Sequence, residues 1–428
     1  MLNRLDLRGI PGDVREHLPR PQLAASGDVE AVRSIIAAVR EQGDAALRSL
    51  TVRFDGVRLD RFRVDPDDTA RALERQPEAV RAALTVAHDR VEAFHRTQLH
   101  GPTYYGDGGS IRSFARPVDA VGCYVPGGRA AYPSTVLMTA VPALVAGVER
   151  VAVCVPPDRD TGAIAEVTLA ACATAGVHEV YALGGAQAIA ALAYGTESVA
   201  PVDVICGPGN KYVALAKAEV AHDCGIASAF AGPSEIVVVA DRTAPPAFAA
   251  IDVIVQAEHG PDGLAWLITW DEQVADAVST EVVRLTDLSP RRDEIVSTLA
   301  VAGFAVVCRD QQQALDVANA IAPEHLQLMT ADPESLVAGV RNAGAIFCGP
   351  WSPASLGDYV AGPSHVLPTD GTARFASALT VADFMKHHHV ITFSREQARA
   401  LAPHVEALAE AEGLAAHAWS ARLRREAE

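Results

Sequence analysis

The stretch Val202-Asp203-Val204-Ile205-Cys206-Gly207-Pro208-Gly209-Asn210-Lys211 changes character twice within a few residues. Residues 202–206 are mostly β-branched and apolar, which predicts a buried strand. The glycines and proline that follow predict a tight turn, and residues 211–220 have the composition of a helix. A strand that ends in a glycine-rich turn and leads into a helix is the repeating unit of a parallel α/β sheet.

The same order of strand, turn and helix recurs on both sides of this stretch. Residues 110–121 look extended, and strands are predicted at 151–155 and 180–183, with helices at 134–146, 162–174 and 188–194. A second block has strands at 236–240, 264–269, 305–308, 326–329 and 345–348, with helices between them. Right-handed crossovers cover such sheets on both faces, so the sequence predicts an α/β protein with two Rossmann-like parallel-sheet domains.

The chain divides into four parts on these patterns. Residues 1–25 are rich in arginine and proline and are interpreted as an N-terminal arm. Residues 26–123, with helical patterns at 28–49 and 77–97, are grouped with 236–375 as the first α/β domain, and residues 124–235 form the second. Residues 376–428 are a tail, helical and alanine-rich from 394 onwards, which needs a partner to bury its apolar stripe.

Composition restricts the class of partner. The 428 residues are 49% hydrophobic and carry a net charge of −17, which argues against nucleic acid and anionic membrane surfaces and favours a small-molecule substrate. The first residues lack an apolar signal-peptide core, and the longest apolar run, 135–148, is too short to span a bilayer. Seven singly scattered cysteines are typical of a reducing cytoplasm.

Gln256-Ala257-Glu258-His259-Gly260-Pro261 is the first candidate site. The apolar residues before it predict a helix that Gly260-Pro261 ends, so Gln256 and His259 lie three apart on one face of its last turn. An amide oxygen and an imidazole nitrogen on one face provide two arms of a metal chelate. A capped helix end with a surface histidine would have the same pattern.

Two further groups lie later in the chain. Glu324 and His325 follow Pro323 between a predicted helix and a strand, where they provide two bases or a base and its orienting partner. Asp358, a hard oxygen ligand, lies in a loop rich in glycine and proline. Glu412 and His417 lie on the tail helix. Taken singly, each of these residues is equally compatible with a solvated surface.

Three glycine turns are predicted where strands meet helices: Pro126-Gly127-Gly128, Gly184-Gly185-Ala186-Gln187 and Gly207-Pro208-Gly209-Asn210. The carboxyl ends of parallel strands form the ligand crevice of such sheets, and glycine lets backbone amides approach a phosphate. The G-x-G-x-x-G fingerprint is incomplete, because Tyr212 occupies its third position. Tight strand-to-helix geometry without a nucleotide is the alternative.

With these motifs together, the chain resembles the histidinol dehydrogenase family from about residue 110 to residue 420. The matching motifs are Tyr124-Val125-Pro126-Gly127-Gly128, Gly184-Gly185-Ala186-Gln187-Ala188-Ile189-Ala190, Gly207-Pro208-Gly209-Asn210, Ala231-Gly232-Pro233-Ser234-Glu235, Gln256-Ala257-Glu258-His259-Gly260-Pro261, Pro323-Glu324-His325-Leu326, Gly357-Asp358-Tyr359 and His365-Val366-Leu367-Pro368-Thr369. Each motif is common by itself, and their order makes the resemblance specific.

The resemblance implies the oxidation of L-histidinol to L-histidine through L-histidinal with two NAD+, the last step of histidine biosynthesis. It implies one Zn²⁺ per subunit, a cytoplasmic location and an intertwined homodimer whose tails reach the partner's active sites. The implied catalytic residues are Glu324 and His325, and the implied metal ligands are Gln256, His259, Asp358 and His417. NAD contacts are implied for Tyr124, Gln187 and Asn210, and substrate contacts for Ser234, Gln256, His259, His325, Asp358, Glu412 and His417.

Other readings remain open at this point. A relative on the same scaffold could oxidise a different alcohol, and Mn²⁺ or Co²⁺ would suit the same ligands as zinc. A zinc hydrolase could use Glu324 as a base without a nicotinamide, and a non-catalytic metal-binding module would need no base. Cys123 was considered as a thiolate nucleophile for aldehyde oxidation, but no neighbouring Lys, Arg or His in sequence would lower its pKa.

Overall fold

The computed structural model describes residues 1–19, 26–106, 110–127, 130–227, 234–258, 260 and 263–427. Contacts divide the chain into two compact units. The larger unit contains residues 1–98 and 118–384, and the smaller contains residues 99–117 and 385–428. No helix among the described residues is long and apolar enough to cross a membrane.

Strands and helices alternate through most of the chain. The strands are β1 Asn3–Asp6, β2 Thr103–Tyr105, β3 Ile111–Pro117, β4 Ala120–Tyr124, β5 Arg150–Val155, β6 Glu179–Ala182, β7 Val204–Cys206, β8 Gly225–Ile226, β9 Glu235–Ala240, β10 Leu264–Thr269, β11 Gly303–Val307, β12 His325–Met329, β13 Ala345–Cys348 and β14 Met385–Ile391. The helices are α1 Ser26–Gln42, α2 Asp44–Asp55, α3 Pro66–Arg75, α4 Glu78–Arg96, α5 Pro133–Ala146, α6 Glu166–Thr174, α7 Gly185–Tyr194, α8 Lys211–Val220, α9 Pro246–Ala257, α10 Glu272–Leu288, α11 Arg292–Ala302, α12 Gln311–Ile321, α13 Pro333–Val337, α14 Ala354–Tyr359, α15 Arg395–Ala411 and α16 Ala415–Glu426.

A six-stranded sheet has the order β1-β11-β10-β9-β12-β13, and all its pairs are parallel. Its central strand β9 is buried along its whole length, as expected for a parallel strand covered on both faces. Alternate residues enter different cores. Val238 packs on the side of α9, α10 and α11, whereas Val237 and Val239 pack on the side of α12.

A five-stranded parallel sheet has the order β6-β5-β4-β7-β8. Its central strand β4 lies between β5 and β7, with Gly122 opposite Ala152 and Ile205. One of its cores joins α1, α2, α7 and α8 to β4 and β5, through residues such as Leu47 and Leu192. The predicted α/β class with two parallel sheets is therefore confirmed.

The smaller unit is built differently. Strands β14, β3 and β2 form an antiparallel sheet, in which His388 lies opposite Phe114 and stacks on it. Helices α15 and α16 form a hairpin, joined by ion pairs of Arg422 and Arg425 with Glu406. The tail is thus two helices rather than one, because the chain turns at Gly413 with a φ of +74°.

Several elements differ from the sequence expectations. Residues 3–6 of the expected arm form strand β1, with Arg4 opposite Ala305, although residues 20–25 lie outside the described chain. Most of β1 is exposed at the sheet edge, so it lacks the apolar alternation that would reveal a strand. The expected helix 28–49 is divided at Gly43, whose φ is +55°.

The placement of the early helices also differs from the expected grouping. Residues 26–123 were grouped with the sheet of residues 236–375, yet α1 and α2 pack on the five-stranded sheet and β4 lies at its centre. Local periodicity indicates that a segment is a helix or strand. It does not indicate which sheet the segment joins, because that depends on contacts between residues distant in sequence.

Candidate functional site

The candidate catalytic pair lies at the amino-terminal edge of the six-stranded sheet. His325 is the first residue of β12 and pairs in register with Ile236 of β9. Ile236 follows Glu235, which is the first residue of β9. Both side chains of the pair are almost inaccessible, with 3% exposure for His325 and 8% for Glu324. The expectation that both would lie in a loop was correct for Glu324 only. His325 is the first residue of its strand, and its orientation is fixed by backbone pairing.

The backbone of Glu235 contacts both members of the pair. Its amide N–H donates to Oε2 of Glu324 at 2.9 Å, and its carbonyl oxygen lies 3.1 Å from Nδ1 of His325. A carbonyl only accepts hydrogen bonds, so Nδ1 of His325 carries a proton. The two side chains are also close to each other, with 3.6 Å between Nδ1 of His325 and Oε2 of Glu324.

The second ring nitrogen of His325 points to Asp358. Nε2 lies 3.2 Å from Oδ1 of Asp358, and the ring stacks on Phe347 with 5.9 Å between centroids. Burial lowers the pKa of His325, but the charges of Glu324 and Asp358 and the hydrogen bonds to them outweigh burial and raise this pKa to about 10. The imidazole is therefore held between two carboxylates.

Asp358 is positioned by α14 and the loop that follows it. Its backbone oxygen accepts a hydrogen bond from Nδ1 of His365 at 2.8 Å, and Nε2 of His365 lies 3.2 Å from the hydroxyl of Thr135. In the same loop, the hydroxyl of Ser364 donates to the carbonyl of Met138 at 2.9 Å. Thr135 and Met138 belong to α5, so the Asp358 loop joins the catalytic pair to a helix of the five-stranded sheet.

Gln256 lies on the last turn of α9, as the sequence predicts, and is 1% exposed. Glu258 is the C-cap of α9, and its charge contributes, after burial and the charge of Asp358, to raising the pKa of Tyr359. Ser234 directly precedes β9, and its carbonyl accepts a hydrogen bond from the Leu264 amide at 2.9 Å. His259 lies outside the described residues.

The described residues contain no group of three or more His, Cys, Asp or Glu side chains arranged to hold a metal ion. Two of the expected ligands do not enter such a group, because Gln256 is an amide and His259 is not described. A carboxylate oxygen, an amide oxygen and imidazole nitrogens, the donor types of the expected ligands, are a mixture that suits a borderline divalent ion.

The glycine turns at 184–187 and 207–210 follow strands β6 and β7 at the carboxyl edge of the five-stranded sheet, where the sequence predicts them, and Gly128 of the third turn lies outside the described residues. The hydroxyl of Tyr124, at the end of β4, accepts a hydrogen bond from the Gly185 amide at 3.1 Å, which ties β4 to the start of α7. Gly207 has a φ of +100°, and a Cβ added there would lie 2.0 Å from the carbonyl oxygen of Tyr124. Glycine is required at 207 by both conformation and space.

The other two expected NAD contacts have distinct surroundings. Gln187 is 1% exposed, and its side-chain Nε2 is a buried donor without a hydrogen-bond partner in the described chain. Asn210 is the N-cap of α8, and its Oδ1 accepts from the amides of Tyr212 and Val213 at 3.0 and 3.2 Å. Lys217, fully buried on the same helix, donates to the Gly207 carbonyl beneath this loop.

Glu412 and His417 lie in the smaller unit, on either side of the turn between α15 and α16. Glu412 is the C-cap of α15, and His417 is in the first turn of α16. Both side chains are exposed. The turn therefore presents a carboxylate and an imidazole together on the surface of its unit.

The sequence motifs do not indicate a role for Glu235, which is the last residue of the motif at 231–235. A glutamate at the start of a wholly apolar strand was the available signal, since buried carboxylates are rare without partners.

Cys123, considered as a nucleophile, is fully buried within β4 with its Sγ 3.7 Å from Sγ of Cys206. All seven cysteines are free thiols.

Comparison with known proteins assigns the family. The family described as histidinol dehydrogenase matches residues 18–425. A histidinol dehydrogenase of Moorella thermoacetica is 50% identical over 408 residues, covering 94% of this chain and 96% of that protein. That of Thermobifida fusca is 48% identical over 432 residues, covering 100% and 98%. The crystal structure of histidinol dehydrogenase from Elizabethkingia anophelis aligns with a TM-score of 0.93 at 32% identity, covering 99% of this chain and 98% of that one. The chain therefore belongs to the histidinol dehydrogenase family of NAD-dependent oxidoreductases.

Proposed function

We propose that the protein oxidises L-histidinol to L-histidine through L-histidinal with two NAD+, as the last step of histidine biosynthesis in the cytoplasm. The observation that carries the proposal is the buried pair of Glu324 and His325, held by Glu235 and Asp358 in a chain of this family. The pair provides one group for each proton that the two oxidations must move.

His325 is the base of the alcohol oxidation. The charges of Glu324 and Asp358 keep the free imidazole protonated, and binding of the proposed ion by Asp358 would release the Nε2 proton. The Nδ1 proton is committed to the Glu235 carbonyl, so Nε2 is then the nitrogen that takes the proton of the substrate hydroxyl. The stacked ring of Phe347 restricts rotation of the imidazole. NAD, when bound, accepts the hydride in each oxidation.

Glu324 is the base of the aldehyde oxidation. Its Oε2 is held by the Glu235 amide, and it deprotonates a water that adds to the aldehyde. The hydrate is then oxidised to the carboxylate. A positioned base contributes about 10²–10⁴-fold to the rate, so loss of either residue should be severe. Holding the aldehyde between the two steps adds a proximity advantage.

The proposed metal is one Zn²⁺ per subunit, held by Gln256, His259, Asp358 and the partner subunit's His417. The buried position of Gln256 on the last turn of α9 supports part of this set. When bound, the ion would orient the amine and imidazole of histidinol. Ser234, Gln256, His259, His325, Asp358, Glu412 and His417 are proposed to contact the substrate.

Tyr124, Gln187 and Asn210 are proposed to contact NAD. The unpartnered amide nitrogen of Gln187 supports this role, because a buried donor without a partner costs free energy that a ligand carbonyl would recover. The turns at the carboxyl edge of the sheet and the start of α8 are suited to a nucleotide.

A homodimer with shared active sites is part of the proposal. The α15–α16 hairpin exposes large apolar side chains, including Leu408, Trp419 and Leu423, with 61% exposure for Trp419. Such a surface is typical of an interface. Glu412 and His417 lie at the turn of the same hairpin, where they could reach a site in the other subunit.

The test is NADH formation with L-histidinol by the purified enzyme, before and after chelation and again after addition of Zn²⁺. We expect two NADH per histidinol, loss of activity on chelation and recovery with the metal. Oxidation of other alcohols but not histidinol would indicate a different substrate. Hydrolytic activity that needs the metal but not NAD would contradict the proposal and indicate a zinc hydrolase.

A further inference from the structure

Glu235 has a buried side chain that the proposed mechanism does not use. The residue is 2% exposed, and its Oε1 accepts a hydrogen bond from the Asp370 amide at 3.0 Å. Its other oxygen, Oε2, is buried without a hydrogen-bond partner in the described chain. A buried carboxyl oxygen without a partner in the protein is satisfied by a water or a ligand.

A cavity of about 410 Å³ provides space for that partner. Its lining includes Glu235, Trp266, Asp370 and Arg374, and Arg15 lies at its wall. The indole Nε1 of Trp266 is a second buried polar atom without a partner among the described residues. The cavity is large enough for several waters, and the two residues that carry these unpartnered atoms are part of its lining.

The other side of Glu235 faces the catalytic pair. Its backbone contacts Glu324 and His325 directly, as described above. Burial raises the pKa of Glu235, and the charges of Glu324 and Asp370 raise it further, to about 8, against hydrogen bonds that lower it. The carboxyl of Glu235 is therefore near that of Glu324 and holds a proton at neutral pH.

The catalytic pair needs a route for protons. Both oxidations release protons onto Glu324 and His325, whose side chains are almost inaccessible to solvent. Glu235 lies between this pair and the cavity lined by Arg15, Trp266 and Arg374.

We propose that Glu235 carries protons from the Glu324–His325 pair to water in this cavity. Its carboxylic acid gives a proton to a cavity water, and the resulting carboxylate takes a proton from Glu324. One proton moves from Glu324 to water in each cycle, and no electrons move. The inference rests on the proposed oxidation, since only that reaction loads the pair with protons.

Glu235→Gln is the main test, because glutamine keeps the shape and the acceptor for the Asp370 amide but cannot carry a proton. We expect kcat to fall about tenfold or more, with the KM values for histidinol and NAD unchanged. Inorganic phosphate, a proton acceptor that Arg15 and Arg374 would attract, should restore kcat as its concentration rises. Sulfate at equal ionic strength should not, and the wild-type enzyme should respond to neither.

Two further variants keep the test decisive. Trp266→Phe keeps the stacking on Phe304 but removes the N–H from the cavity, so kcat should fall and phosphate should restore it, whether or not Glu235→Gln folds. Asp252→Asn is the control. It removes a buried acid that lies outside this cavity and whose pKa is raised by burial to about 6, and it should leave kcat unchanged.

A Glu235→Gln enzyme with wild-type kcat, or with a loss that phosphate does not restore, would overturn the relay. If the wild-type enzyme does not oxidise histidinol, the proposed function fails instead. An infrared difference spectrum separates the two cases without turnover. The carbonyl band of a protonated carboxyl should be present in the wild-type protein at neutral pH and lost in Glu235→Gln, and its absence from the wild-type protein would also overturn the relay.

Discussion

Glu324 and His325 are adjacent in sequence, yet the structure places them in different surroundings. Glu324 accepts a hydrogen bond from a backbone amide, whereas His325 lies between a carbonyl and a carboxylate. The carbonyl fixes which nitrogen of His325 carries its proton. The backbone of a single residue, Glu235, thus contacts both of these neighbouring side chains in different ways.

Glu324→Gln tests that separation at the level of one residue. The variant keeps a hydrogen bond from the Glu235 amide but cannot deprotonate water. We expect the oxidation of histidinal to slow by about 10²-fold or more and the oxidation of histidinol to histidinal to be less affected. Single-turnover NADH formation with each substrate provides the measurement, and equal losses in both steps would refute the division of tasks.

Lys217 gives a prediction about stability and pH. Burial lowers its pKa from 10.5 to about 8 in the folded protein. Between these values the unfolded chain binds more protons than the folded one, so this residue makes the free energy of unfolding rise with pH, by about 1.4 kcal/mol per unit. Below pH 8 the lysine is charged in both states, and the cost of burying its charge is constant.

Lys217→Met removes that contribution. Urea unfolding at about pH 7.5 and pH 9.5 should show the wild type gaining about 2 kcal/mol relative to the variant as pH rises. The exposed Lys386→Met is the matched control and should show no such change. A difference between wild type and Lys217→Met that is independent of pH would mean that Lys217 titrates normally in the folded state.

At the scale of elements, Asn210 caps helix α8 and is also a proposed contact of NAD. Asn210 caps the helix through Oδ1, which leaves its amide N–H groups for a ligand. Gly207 packs against the backbone of Tyr124, and Lys217 donates to the Gly207 carbonyl from the second turn. The loop before α8 is therefore held from both sides before any cofactor arrives.

Asn210→Asp separates the two tasks, because aspartate keeps the capping oxygen and loses the donor. We expect the free energy of unfolding to change by less than about 0.5 kcal/mol and the KM for NAD to rise about tenfold. Asn210→Ala should raise the KM for NAD in the same way and should also lower the free energy of unfolding by about 1 kcal/mol.

Asp271→Ala, which removes the N-cap of α10 away from the glycine turns, controls for the loss of a cap alone. This variant should lower the free energy of unfolding by a similar amount without affecting the KM for NAD. An unchanged KM for NAD in both Asn210 variants would remove Asn210 from the cofactor site.

At the scale of the whole molecule, the residues proposed for the site are divided between the two units of the chain. Gln256, Glu324, His325 and Asp358 belong to the larger unit, whereas Glu412 and His417 belong to the smaller one. The exposed apolar side chains of the α15–α16 hairpin support an assembly in which the hairpin serves another subunit.

Mixing inactive chains tests this arrangement. His417→Ala and Gln256→Ala should each be inactive, but a mixed dimer would contain one site in which both residues are intact. Random reassociation makes half of the dimers mixed, so activity should recover to about a quarter of the wild-type value. Each variant unfolded and refolded alone is the control. Mixed dimers that form without activity would place each site within a single chain.

The sequence by itself determined the fold class and most of the individual strands and helices. It also identified the residues of the family motifs, including Glu324, His325 and Asp358. Hydrophobic periodicity and turn chemistry are local properties, so they can be read within a window of a few residues. Predictions such as α8 at residues 211–220 and α12 at 311–321 match the structure for this reason.

Only the tertiary structure decided which segments lie together. It placed β1 on the edge of one sheet and β4 at the centre of the other, and it brought Glu235 against the catalytic pair. The physical reason is that sheet pairing and side-chain burial depend on contacts between residues far apart in the chain. The local sequence of a strand does not indicate which strand will pair with it. Glu235 contacts the pair through its backbone, so no side-chain pattern predicts these contacts.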